Sequence, residues 1–192
     1  MKPWLIGLPA AVLLLAAAAQ AAGMEGWFLA GNSPANYEIQ RDTVVTYAGK
    51  PSGRLASNSQ PKGFGTMMQC IEATDYLGKR LRFSGYVKAK DVKGWAGLWM
   101  RVDGPGSPPK SLAFDNMQTR SIKGTSGFTQ YSVVLDVSKD AKGICFGILV
   151  DDEGTVWLSG VQLEPVPLTV PVTNTMSDWQ GSKKPKNLDF SR

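Results

Sequence analysis

Residues 95–103, WAGLWMRVD, set two indoles, a guanidinium and a carboxylate at alternate positions. Read with the two-residue period of a β-strand, Trp95, Gly97, Trp99, Arg101 and Asp103 share one side, and Ala96, Leu98, Met100 and Val102 the other. The second row is an apolar core face. The first row is suited to binding a sugar: an indole stacks on the C–H face of the ring, and Arg101 and Asp103 offer bidentate partners to its hydroxyls. Gly97, between the two rings, leaves a strip of backbone that a ligand can approach. The strand just upstream adds Tyr86, with Arg82 and Lys88, on its own polar side. Two other arrangements stay open. The rings are covered by the 104–110 loop or the tail, leaving Arg101 and Asp103 as an ordinary surface pair, or both rings turn inward. Asp115 and Asn116, inside the apolar AFDNM stretch, are a second polar pair. They are either ligand contacts or a buried hydrogen-bonding corner that fixes a loop.

Catalysis has less to draw on. The sequence holds no histidine, which removes Ser–His and Cys–His nucleophile pairs and histidine-rich metal centres. The glycine-rich Lys62-Gly63-Phe64-Gly65 matches no phosphate-binding loop. Carboxylates remain: Asp103, Asp115, Asp151, Asp152, Glu153 and Glu164 are available to an acid-pair hydrolase, which needs two of them about 5–9 Å apart. A structural calcium held by Asp103, Asp151, Asp152 and Glu153 is a further option, without EF-hand spacing to support it. No other cofactor is implied, and the expectation is a non-catalytic protein.

The elements that position these residues read almost wholly as strands punctuated by glycine, proline and asparagine. Strands are expected at 25–31, 35–42, 52–59, 63–73, 79–89, 95–103, 111–118, 129–137, 143–151 and 155–166, with a hairpin turn at Asp151-Asp152-Glu153-Gly154. No stretch carries a helical stripe of ten residues. So many short strands predict an all-β, antiparallel two-sheet jelly-roll sandwich over 23–166. From about Pro165 four prolines and no sustained period predict an extended tail over 167–192. Residues 1–22 have a basic start, a short apolar run and Ala19-Gln20-Ala21, the layout of a secretory signal. The expected location is therefore periplasmic or secreted, with no stable membrane insertion. There a Cys70–Cys145 disulfide can persist, the alternative being two separate buried thiols. The whole chain carries 21 basic and 16 acidic residues, interspersed until the C-terminal lysines, a balance that does not suggest nucleic acid binding.

The segments GWAGLWMRVDG, LAFDNMQ and FGILVDDEGTVWLSGVQLEPV resemble a bacterial family of unassigned activity, AFDNM being the most specific part. Some members of that family are labelled transcriptional regulators. Phe128 stands where relatives carry tryptophan. The strand order also resembles carbohydrate-binding modules of the galactose-binding-like jelly-roll type, in which Ser159 here replaces a frequent aspartate. The resemblance implies a jelly roll and glycan binding. In the tail, Asn187-Leu188-Asp189-Phe190 resembles a segment that in carbohydrate-binding modules often precedes the first Gly-Trp strand, and the resemblance implies that it folds back as an edge strand beside the N-terminal one. The partners expected are a glycan or small polar ligand, or a cell-envelope protein in a structural or interaction role.

Overall fold

The computed structural model describes residues 23–58 and 61–173. Among them lie nine strands: β1 (Phe28–Gly31), β2 (Tyr37–Tyr47), β3 (Lys50–Ser57), β4 (Phe64–Glu72), β5 (Arg80–Asp103), β6 (Ser111–Asp115), β7 (Ile122–Asp136), β8 (Gly143–Asp151) and β9 (Thr155–Val166). All paired strands are antiparallel, and short 3-10 turns are the only helical pieces among the described residues. The all-β jelly-roll architecture expected from the strand pattern is the one observed.

β5 organises the molecule. The sequence suggests two strands, 79–89 and 95–103, but the structure makes one of 24 residues. Its first half pairs with β7 and β9, its second with β8 and β6. It therefore belongs to both layers of the sandwich. The front layer runs β1-β4-β8-β5-β6, and the back layer runs β2-β3-β9-β5-β7. A strand shared by two facing layers must keep its apolar row on the inner side as it bends from one to the other. In the first half that row is Leu81, Phe83, Val87 and Ala89; in the second it is Val92, Ala96, Leu98, Met100 and Val102. The parity changes between Ala89 and Val92, where the register with β7 shifts. Asp91 sits there with a φ of 53°, the extra residue of a bulge. Its backbone N–H is held by Thr125 Oγ1 at 3.0 Å.

The core fills the space between the layers. Phe83 from the back meets Phe146 from the front, ring centroids 5.0 Å apart. A β-carbon on Gly53 of β3 would lie 2.7 Å from the Met67 Cε of β4, so the methionine packs directly over that glycine.

The chain does not leave the domain at Val166. The Arg80 guanidinium donates to the carbonyls of Leu168 and Val170, both at 2.6 Å, and grips Asp136 with two bonds of 2.7 and 2.9 Å. The Thr173 N–H then donates to Val134 O at 2.8 Å, and the Val134 N–H donates back to Thr173 Oγ1 at 2.9 Å. The start of the expected tail thus runs onto the free edge of β7. The expected signal over 1–22 and the Asn187–Phe190 strand lie outside the described residues.

Candidate functional site

The outer face of the front layer is built from rows that cross β4, β8 and β5. Met68, Gly147 and Trp99 form one row, Thr66, Leu149 and Gly97 the next, and Phe64, Asp151 and Trp95 a third. On the other side of the Trp99 row, Cys70, Cys145 and Arg101 line up, with Phe114 of β6 opposite Arg101. Met68, Trp99, Cys145 and Leu149 make a small apolar cluster separate from the core, with Phe28, Ala30, Phe64, Trp95 and Phe114 packed on it. Both indoles therefore stand outside the inter-sheet core, and the inward arrangement is not adopted.

Trp99 is nevertheless only 7% exposed. Its Nε1–H donates to Thr66 Oγ1 at 2.7 Å, and the Thr66 hydroxyl donates to Ile148 O at 2.9 Å. Gly147, opposite Trp99 on β8, must be glycine because a β-carbon there would collide with Met67 O and lie 2.8 Å from Met68 Cα of β4. Trp95 is partly exposed. The open backbone strip expected at Gly97 is absent. A β-carbon there would lie 2.8 Å from Asn116 O and 2.9 Å from Met117 Cβ, because the chain leaving β6 passes over it.

Arg101 and Asp103 form a two-bond pair of 2.7 and 2.9 Å. Two residues apart on one strand, they point the same way. The Asp103 carboxylate side chain is 9% exposed and the Arg101 side chain 37%, so the guanidinium is the part that meets solvent.

Tyr86 does not join this set. It projects from the first half of β5, on the outer face of the back layer, where it stacks on Tyr47 with centroids 4.0 Å apart. Phe128 lies 5.3 Å from Tyr47, and Lys88 Nζ sits 5.4 Å over the ring of Trp157. The crossing of β5 between layers separates these groups from Trp95 and Trp99. Asp115 and Asn116 form the corner. Asp115 is fully buried; its Oδ1 accepts from the Met117 N–H at 2.8 Å and from Arg120 Nη1 at 3.1 Å. Asn116 Oδ1 accepts from the Gln118 N–H at 3.1 Å. Together they hold Met117 at a φ of 61°.

The shared calcium is ruled out by distance. Asp151 faces Trp95 and Asp103 faces Gly143, at opposite ends of one ladder, about 27 Å apart at the usual rise per residue. No group of three potential metal ligands occurs among the described residues. Of the acid-pair candidates, Asp103, Asp115 and Glu164 each hold an arginine, Arg101, Arg120 and Arg82, and the other three, Asp151, Asp152 and Glu153, are consecutive at the turn after β8. Cys70 and Cys145 are bonded, S–S 2.06 Å, directly opposite each other on β4 and β8. Near the Asp151 end, burial first and then the charges of Asp151 and Asp152 push the Tyr37 phenol up to about 12.

Thr66, Met68, Phe64 and Leu149 were missed as members of this face. Alternation within 63–73 and 143–151 carries the signal. It sets Thr66 and Met68 opposite in sense to Met67, and Cys145 and Leu149 opposite to Ile144, Phe146 and Ile148.

No family model matches the chain. It is 42% identical over 169 residues to the uncharacterized HTH-type transcriptional regulator YbfP of Bacillus subtilis (strain 168). That match takes in 87% of this chain, which spans 57% of the relative's length. Among solved structures, the CBM22-1 xylan-binding domain of Paenibacillus barcinonensis Xyn10C is similar at a TM-score of 0.54 and 14% identity, covering 77% of this chain and 90% of that one. The CBM22-1–GH10 modules of Clostridium thermocellum Xyn10B, complexed with xylohexaose, give 0.54 and 15%, covering 78% and 28%. At such identities the likeness is one of fold. The chain has the jelly-roll fold of carbohydrate-binding modules.

Proposed function

We propose that the chain is an exported, non-catalytic module that binds a glycan or other small polar ligand on the outer face of its front layer. The observation that carries this reading is the aromatic cluster around Trp95 and Trp99, set outside the core and bordered by the Arg101–Asp103 pair. Trp95 is the stacking ring. Trp99, fixed by Thr66, is a buried part of the same face. The solvent-facing guanidinium of Arg101 meets hydroxyls, with Asp103 holding it in place. The likeness in fold to xylan-binding modules supports the ligand class, and the Cys70–Cys145 bond supports an oxidising compartment. No helix among the described residues is long and apolar enough to cross a membrane.

Titrating tryptophan fluorescence with a panel of polysaccharides tests the reading. A saturable shift is expected with at least one of them, and Trp95→Ala should abolish it with the circular dichroism spectrum unchanged. Absence of any saccharide response, with co-purification of an envelope protein, would replace this reading by an interaction role.

The relative's name favours a second reading, in which the same fold is the ligand-sensing part of a longer regulator. The described residues hold no α-helix and so nothing of a helix-turn-helix. Ligand binding without DNA binding by this chain is the outcome that reading requires.

A further inference from the structure

The outer face of the front layer is not electrically uniform. At one end Arg101 and Asp103 neutralise each other. At the other end Asp151 stands directly opposite Phe64 on β4 and directly opposite Trp95 on β5. All three side chains point to the same face, and all three are partly exposed. Cross-strand neighbours of this kind have their β-carbons about 5 Å apart. A carboxylate therefore sits between two aromatic rings.

Among the described residues that carboxylate has no counter-ion. Asp103, Asp115, Asp136, Glu38 and Glu164 each pair with an arginine. Among the described residues the Asp151 side chain makes neither an ion pair nor a hydrogen bond. Asp152 and Glu153 follow it, both exposed, and add to the negative field. Ring faces attract cations, and a carboxylate accepts a charge-assisted hydrogen bond from an ammonium group. A ring pair with a carboxylate between them satisfies both demands at one point, within reach of a ligand lying along the face.

We infer that the Phe64–Asp151–Trp95 row selects a saccharide carrying a protonated amine, an amino sugar of the glucosamine type. The inference rests on the glycan reading above and names the ligand class for the same face. The amine sits at Asp151, against the Trp95 ring, while neutral hydroxyls reach toward Arg101.

Two oligosaccharides of equal length separate the cases: a glucosamine oligomer and its N-acetylated counterpart, which differ in charge. By calorimetry at mildly acidic pH and low salt, the glucosamine oligomer should bind about tenfold more tightly, as one exposed ring contact plus one exposed ion pair imply. Asp151→Asn should erase that difference and leave binding of the N-acetylated oligomer unchanged. Added salt should weaken the first oligomer alone, a readout that needs no variant. Equal affinities, or a preference that survives Asp151→Asn, would overturn the amine assignment while binding lost in Trp95→Ala keeps the glycan reading. Failure of both oligomers and of the polysaccharide panel would remove both.

Discussion

Thr66 shows how one hydroxyl can hold an aromatic face in shape. It accepts the Trp99 indole N–H and passes its own proton to Ile148 O. Thr66→Val keeps the volume and removes the acceptor, leaving a buried N–H unsatisfied, a loss of about 1–3 kcal/mol. Urea unfolding should report that loss, and the emission of the folded state should broaden as the indole loses its fixed position. Asp42 plays a comparable part on the back layer. Its carboxylate accepts from the Val45 N–H, the Trp157 Nε1–H and the Val44 N–H, bonds that hold its pKa below the ordinary 3.8. A depressed folded value means that the stabilisation is complete above the unfolded value and is lost as pH falls through the folded one. Acid unfolding of Asp42→Asn should therefore lack a component of destabilisation that the parent shows below about pH 4. The alternation of WAGLWMRVD was legible in the sequence, and which of its two sides faces outward was not. Nor was the Thr66 partner of Trp99, because it comes from β4, whose place beside β8 depends on strand order.

At the level of the element, the bulge in β5 decides which residues can share a site. Alternation is correctly readable within 79–89 and within 95–103. What it conceals is that the two runs are one strand, since Lys90-Asp91-Val92-Lys93-Gly94 has the composition of a turn. A single extra residue there moves the inward row from odd to even positions. Tyr86 and Trp95 consequently emerge on different layers, and a reading that joins neighbouring strands into one platform fails at that point. Deleting Asp91 would place both apolar rows on one unbroken alternation but remove the bulge that bends β5 between the layers, so one half would lose its register with its neighbours. Loss of the cooperative thermal transition is the expected result. Asp91→Gly, which suits the positive φ, should melt within a few degrees of the parent.

For the whole molecule, the Cys70–Cys145 bond closes a loop with a sequence separation of 75, worth about 4.5 kcal/mol in the chain-entropy account. The paired Cys70→Ser, Cys145→Ser variant should lose up to that amount and melt roughly ten degrees lower. A change of only a degree or two would show that the reduced chain is already held by its neighbours. The bridge joins neighbouring strands, β4 and β8. The pairing itself was undecidable from sequence, because it needs β4 and β8 to be adjacent and in register.

A ribbon woven into both walls has a mechanical consequence. The two walls of this sandwich are stitched by backbone hydrogen bonds through a common strand, so they have no seam along which to slide or hinge. Accommodation of a guest must then come from rotating side chains and rim loops, and the scaffold should superimpose on itself whether loaded or empty.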